Sequence, residues 1–126
     1  MIVKYILSDK CRDTLLKMYP NQNNNLVCRE VVLFDNPTAV GNVYEKHFHN
    51  LKTIRIVGVW KDDSGIVFQV EVNGRTANTA IHGQQNYYLI HQTRSIGYHK
   101  KLMSKTTSYC RLKKTIPLDG TLIVIR

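Results

Sequence analysis

The sequence predicts an α+β fold, a single domain over residues 1–126 in which a mostly antiparallel sheet is accompanied by two helices. Three observations support this prediction. The first half of the chain alternates strand patterns with helix patterns, and the second half changes to the two-residue period of strands. Short runs of turn-forming residues separate those later strands. The expected order is β-α-β-α-β-β-β-β, followed by a basic segment and a final strand.

The chain begins with a strand and a helix. Residues 1–7 are apolar on both faces, which is typical of a covered, central strand. Ser8 is a suitable N-cap for a helix over about 9–19, and Pro20 ends that helix. A polar loop rich in asparagine then leads to a second strand from Leu26 to Phe34.

A second helix is predicted over residues 37–50. Asn36 is a favourable N-cap, and Pro37 suits the first helical position. The apolar residues that follow recur every three or four positions and make one stripe. His47 falls on this stripe, so we interpret the His47-x-His49 pair as part of a packed helix face and predict no metal site.

The second half is expected to be a strand meander. Asp62-Asp63-Ser64-Gly65 forms the turn of a hairpin over 53–72, and Asn73-Gly74 forms the next turn. Further strands are expected at about 75–82, 86–91 and 121–125, whereas 93–106 is either a short helix or a basic loop. The residues expected in the core are Ile6, Leu15, Val31, Val40, Phe48, Ile56, Phe68, Val70, Leu89 and Val124.

Charge is distributed unevenly along the chain. The first 71 residues carry nine Lys/Arg and eight acids, whereas the 47 residues from 72 to 118 carry eight Lys/Arg and no acid. The formal net charge of +9 therefore belongs mainly to one region. A potential of one sign attracts anions.

This region favours a small intracellular regulatory protein, of cellular, viral or phage origin, that binds a nucleic acid or another polyanion and has no catalysis of its own. Lysine and arginine neutralise phosphates, and tyrosine rings offer faces on which unpaired bases stack. The residues predicted to contact phosphates are Arg94, Lys100, Lys101, Lys105, Arg111, Lys113 and Lys114. The residues predicted to stack on bases are Tyr98 and Tyr109.

An enzymatic alternative is a metal-independent ribonuclease or cyclic-nucleotide phosphodiesterase. Such chemistry needs an acid and a base near neutral pH, together with a cation that stabilises the developing phosphorane. His91-Gln92-Thr93 resembles the tripeptide of two-histidine phosphoesterases, although only one copy is present. The candidate residues are His82, His91, His99, Lys100 and Arg111.

A second alternative is a basic module that inhibits or recruits an acidic protein. Positive faces commonly set the rate at which such partners associate. The orientation of the tyrosines discriminates between the two binding readings. Tyrosines that share a face with the lysines favour nucleic acid, whereas Tyr98 and Tyr109 pointing inward favour a protein partner.

The remaining features define the setting. The three cysteines are far apart and form no CxxC pair, so we expect free thiols and no cofactor or metal. No apolar stretch approaches the roughly 18 residues that a membrane span requires. The first residues lack the pattern of a signal peptide. We therefore expect an intracellular protein, cytoplasmic or nuclear, whose oligomeric state the sequence leaves open.

Overall fold

The computed structural model describes residues 2–22, 26–35, 51–78 and 85–125, and it shows an α+β fold dominated by one antiparallel sheet. The helices are α1 (Asp9–Met18) and α2 (Tyr98–Met103), and a 3₁₀ turn covers Thr106–Ser108. The strands are β1 (Ile2–Leu7), β2 (Glu30–Asp35), β3 (Ile54–Asp62), β4 (Gly65–Val72), β5 (Ala77–Asn78), β6 (Gln85–Asn86), β7 (Tyr88–Thr93), β8 (Tyr109–Pro117) and β9 (Gly120–Ile125).

Seven strands form the main sheet in the order β8-β3-β4-β7-β2-β1-β9, and every neighbouring pair is antiparallel. Strands β5 and β6 pair separately as a two-residue ribbon. Within the part of the chain that the structure describes, no helix is long and apolar enough to cross a membrane.

The main sheet is strongly curved. Its two edge strands, β8 and β9, are consecutive in sequence and are joined only by Leu118 and Asp119. A flat seven-stranded sheet would separate its edges by roughly 29 Å, whereas three Cα steps span at most about 11 Å. The corner is fixed because Leu118 N donates to Ile54 O at 3.0 Å and Ser8 N donates to Asp119 O at 2.9 Å.

Apolar side chains form two clusters on opposite faces of the sheet. The main core contains Phe68 and Leu89, which are opposite each other in the β4–β7 pair, together with Leu15 of α1. The second cluster, here called the tryptophan cluster, contains Trp60, Val67 and Leu102. Successive side chains of a strand point to opposite faces, so Val67 and Phe68 divide the two clusters between the faces of β4. Partly buried residues that pack on the tryptophan cluster are Tyr88, Tyr98, Met103 and Tyr109.

The predicted hairpin over 53–72 is confirmed as β3 and β4, with register from Ile54–Val72 to Asp62–Gly65. Helix α1 is confirmed, and its N-cap Ser8 accepts a hydrogen bond from Cys11 N at 3.1 Å. The predicted helix over 37–50 lies outside the described residues. The strand predicted at about 75–82 is seen only at Ala77–Asn78, because 79–84 also lie outside the described part.

Most predicted core positions are confirmed. The confirmed residues are Leu15, Val31, Ile56, Phe68, Val70 and Leu89. Ile6 and Val124 are only half-buried. In β1 it is Val3, Tyr5 and Leu7 that lie in the core, so the expectation of full cover on both faces is wrong for the face that carries Ile6. Val40 and Phe48 lie outside the described residues.

The last part of the basic segment belongs to the sheet, whereas the sequence predicts no strand between His91 and Thr121. Residues Tyr109–Pro117 form β8, an edge strand paired with β3. The ambiguity over 93–106 is resolved as the short helix α2 and the 3₁₀ turn. The alternation of β8 is weak because a bulge interrupts its pairing with β3, and consecutive lysines do not mark either of its faces as buried.

Candidate polyanion-binding surface

Helix α2 packs on the tryptophan-cluster side of the sheet. Gly97, with φ +88°, makes the left-handed turn that directs the chain into the helix, a conformation that glycine adopts without steric cost. Leu102 is fully buried against Trp60 and Val67. Lys100 and Lys101 stand on the exposed side of the helix. Helix α2 therefore has one apolar side that packs on the sheet and one cationic side that is exposed.

Asp62, at the turn of the β3–β4 hairpin, forms hydrogen bonds that hold helix α2 in position. The Tyr98 hydroxyl donates to Asp62 Oδ2, and Lys105 Nζ lies 3.2 Å from the same carboxylate oxygen and 3.2 Å from the Tyr98 hydroxyl. Ser64 N donates to Asp62 Oδ1 at 2.8 Å. Burial alone would raise the pKa of the Asp62 carboxyl, but the hydrogen bonds from Tyr98, Ser64 and Lys105 hold that pKa below its ordinary value. Asp62 is thus a structural anchor as well as a turn residue.

Tyr109 is also engaged within the protein. Its ring packs on Trp60, with centroids 5.1 Å apart and planes inclined by 47°. The Tyr109 hydroxyl donates to Gln69 Oε1, and the ring fills the space beside Gly58 where a Cβ would otherwise stand. Together with Tyr98, this residue points inward. The packing of both rings disfavours the base-stacking role predicted for them.

The cationic segment, residues 94–114, contains six exposed Lys/Arg side chains that form no ion pair with any described acid. Eight of the nine acids of the chain are described, and only Glu45 is not. Lys105 is the member of the segment that is paired, with Asp62. The other ion pairs of the described residues lie on β1, β2, α1, β3 and β4 and at Arg29, which precedes β2. The six exposed cations are Arg94, Lys100, Lys101, Arg111, Lys113 and Lys114.

Two of these lysines lie on a bulge in β8. Arg111 is opposite Gly58 and Ile116 is opposite Ile56, so four residues of β8 stand against Val57 alone. The four residues of the bulge include Lys113 and Lys114, and both lysines are exposed. Bulges and lysines on an edge strand also hinder pairing with another chain, so protection of the edge is a second physical role for these two residues.

His99 of α2 contacts Tyr88 of β7. The Tyr88 hydroxyl lies 3.3 Å from His99 Nε2, and the rings stack with centroids 5.1 Å apart and planes inclined by 26°. Burial and the neighbouring Lys100 charge lower the pKa of His99, so the ring is neutral near pH 7. Its Nδ1 is buried and has no hydrogen-bond partner in the described part of the chain.

His91 lies on the opposite face of the sheet, in the main core. His91 Nε2 donates a hydrogen bond to the Tyr19 carbonyl at 2.7 Å, and the centroids of the His91 and Phe68 rings are 5.0 Å apart. Burial lowers the pKa of His91. The sheet lies between the rings of His91 and His99, so the structure does not bring these two histidines together at one phosphate. His82, the remaining histidine of the predicted catalytic set, lies outside the described residues.

The other two residues of the His91-Gln92-Thr93 tripeptide also make structural hydrogen bonds. Gln92 Nε2 donates to Pro20 O at 2.8 Å, and Gln92 Oε1 accepts from Gln22 N at 2.9 Å. Thr93 exchanges backbone hydrogen bonds of 2.9 Å with Leu26. The His-Gln-Thr sequence therefore fixes the chain that follows α1.

A pocket of about 470 Å³ opens beside α2. The candidate residues predicted from the sequence include two of its lining residues, His99 and Lys100, and miss the other four, because no periodicity or motif links β6 and β7 to the end of α2. The packing of α2 across β7 brings them together. The lining consists of Asn86, Tyr88, His99, Lys100, Met103 and Ser104.

Among the described residues, no three His, Cys, Asp or Glu side chains come together as metal ligands, and Cys11, Cys28 and Cys110 are free thiols. Comparison with protein-family models, curated protein sequences and solved structures finds no significant match. Function is therefore inferred from the site itself.

Proposed function

We propose that this protein binds nucleic acid by contacting the phosphate groups of the nucleic acid. The observation that carries the proposal is the set of six exposed cations in the cationic segment that have no ion pair with a described acid. Neighbouring positive charges repel one another, and a polyanion relieves that repulsion while it releases its own condensed counterions.

The position of the tyrosines favours one mode of binding. Tyr98 and Tyr109 are half-buried, with both hydroxyls bonded inside the protein. Contacts from Lys and Arg to phosphates then supply most of the affinity, and such contacts carry little sequence information. We expect binding that tolerates many sequences and weakens steeply as salt is added.

The inward tyrosines favour a second candidate, an acidic protein surface, and the exposed cations alone carry the nucleic-acid proposal. Exposed lysines around a packed aromatic cluster suit carboxylates as well as phosphates. Retention of a partner from lysate, with and without nuclease treatment, separates the candidates. Loss of the retained material after nuclease supports nucleic acid, whereas retention of an acidic protein supports the second candidate.

The direct test compares two lysine pairs. Affinity for labelled RNA and DNA is measured across a salt series for the wild type, for Lys113→Gln/Lys114→Gln and for the control Lys10→Gln/Lys17→Gln on α1. We expect the first variant to lower the slope of log K against log salt by about one for each lost phosphate contact, and the control to leave it unchanged. Equal affinity and slope for all three proteins would contradict a phosphate role for Lys113 and Lys114. The matching pair Lys100→Gln/Lys101→Gln tests α2 in the same way.

A further inference from the structure

We infer that the pocket beside α2 receives one unpaired nucleotide of the bound nucleic acid. This inference rests on the proposed function and adds a ligand class to it: a strand with a base outside a duplex. The residues concerned are those of the pocket lining, which no sequence motif assigns.

The first argument is position. Lys100 lines the pocket and also belongs to the cationic segment, so a phosphate on this lysine places its own nucleoside at the pocket mouth. A volume of about 470 Å³ lies within the range of small-ligand pockets and accommodates a nucleoside with its phosphate. Phosphate binding and base binding are therefore compatible in one pose.

The second argument is chemistry. Asn86 and Ser104 supply an amide and a hydroxyl, the groups that bond to the polar edge of a base. The rings of Tyr88 and His99 stack on each other and together form an aromatic wall, and Met103 supplies a polarisable apolar wall.

The third argument selects an unpaired base. A base within a duplex has its pairing edge occupied and both faces stacked, so it cannot enter a side pocket. A bulged or single-stranded nucleotide loses little by entering, because its stacking is already incomplete.

The test uses two RNA duplexes of the same sequence, one fully paired and one with a single bulged nucleotide. Their affinities are measured for the wild type, for the pocket variant Asn86→Ala/Ser104→Ala, and for Thr107→Ala, an exposed control outside the pocket. We expect the wild type and the control to prefer the bulged RNA on the order of tenfold, and the pocket variant, which lacks the two hydrogen-bonding groups, to lose most of that preference.

Each other outcome has a distinct meaning. Equal affinity of the wild type for both RNAs overturns the pocket inference and leaves phosphate binding intact, whereas no binding of either RNA overturns the proposed function. A preference that persists in the pocket variant and in a second variant, His99→Gln, places the unpaired nucleotide elsewhere. Trp60 emission, from the one tryptophan of the chain, reports whether each variant keeps the packing beneath α2.

Discussion

The Tyr98 hydroxyl at the start of α2 donates a hydrogen bond to the Asp62 carboxylate at the end of β3. This contact joins the hairpin turn to the cationic segment across 36 positions of sequence. Lys105 bonds the same carboxylate from beyond the other end of the helix. One acid therefore fixes both ends of the element that presents Lys100 and Lys101.

Replacement of that acid should loosen α2. We expect Asp62→Asn to lower the free energy of unfolding by about 1 kcal/mol, because the amide accepts weaker hydrogen bonds than the carboxylate at this partly exposed position. Urea unfolding followed by Trp60 emission measures the loss. Asp63→Asn, the exposed neighbour in the same turn, is the matched control and should have little effect. Equal losses for the two variants would contradict the anchoring role.

Asp62 should also make the stability of the protein depend on pH in the acid range. The folded-state pKa of Asp62 is below its unfolded value, so the stability it contributes is present above the unfolded pKa and is lost as pH falls through the folded pKa. We expect Trp60 emission to change below about pH 4 in the wild type and to change less in Asp62→Asn. A change of the same size in both proteins would assign the transition to other carboxyls.

Buried His91 predicts a pH dependence at a higher range. Burial lowers its folded-state pKa, so the unfolded chain binds the proton more readily, and stability falls as pH drops below the unfolded value of about 6.5. The maximum slope from this one group is about 1.4 kcal/mol per pH unit. Urea unfolding between about pH 5 and pH 8 should show a smaller slope in His91→Gln, which keeps a donor for the Tyr19 carbonyl. A slope unaltered by the substitution would assign it to other histidines.

The contact between Gly58 and Tyr109 predicts a coupled pair. A Cβ at position 58 would overlap the Tyr109 ring, so Gly58→Ala should cost roughly 1–3 kcal/mol of stability. In a Tyr109→Ala background the space is empty, and the same change should cost much less. A double-mutant cycle measures this coupling. Equal costs in the two backgrounds would show that the β3 backbone, and not Tyr109, excludes the side chain.

The unpaired cations predict that salt stabilises the free protein. The Debye length shrinks from roughly 30 Å to 10 Å between about 0.01 M and 0.1 M salt, which screens their mutual repulsion. Thermal unfolding should therefore show a Tm that rises with salt, and Lys113→Gln/Lys114→Gln should raise the low-salt Tm by about 2 °C and flatten the rise. Lys10→Gln/Lys17→Gln is again the control. A low-salt Tm that does not move would contradict strong repulsion at the bulge.

Local sequence signals determined much of the fold. The Ser8 cap, the period-two pattern of β4 and the turn at Asp62–Gly65 act between near neighbours, so each can be predicted without knowledge of the tertiary structure. Chain composition determined the uneven charge, and six of the seven cations predicted to contact phosphates are exposed and form no ion pair with a described acid. These features specify an α+β chain with a cationic segment, and they specify no partner.

Tertiary structure decided how those residues are used. The pairing of β8 with β3 and the packing of Leu102 on Trp60 join parts of the chain about 40 or more residues apart, and no periodicity encodes such contacts. They turn Tyr98 and Tyr109 inward and place His91 and His99 on opposite faces of the sheet. The physical reason is that a strand pattern records which side chains are apolar, whereas the face that each partner covers depends on packing between distant elements.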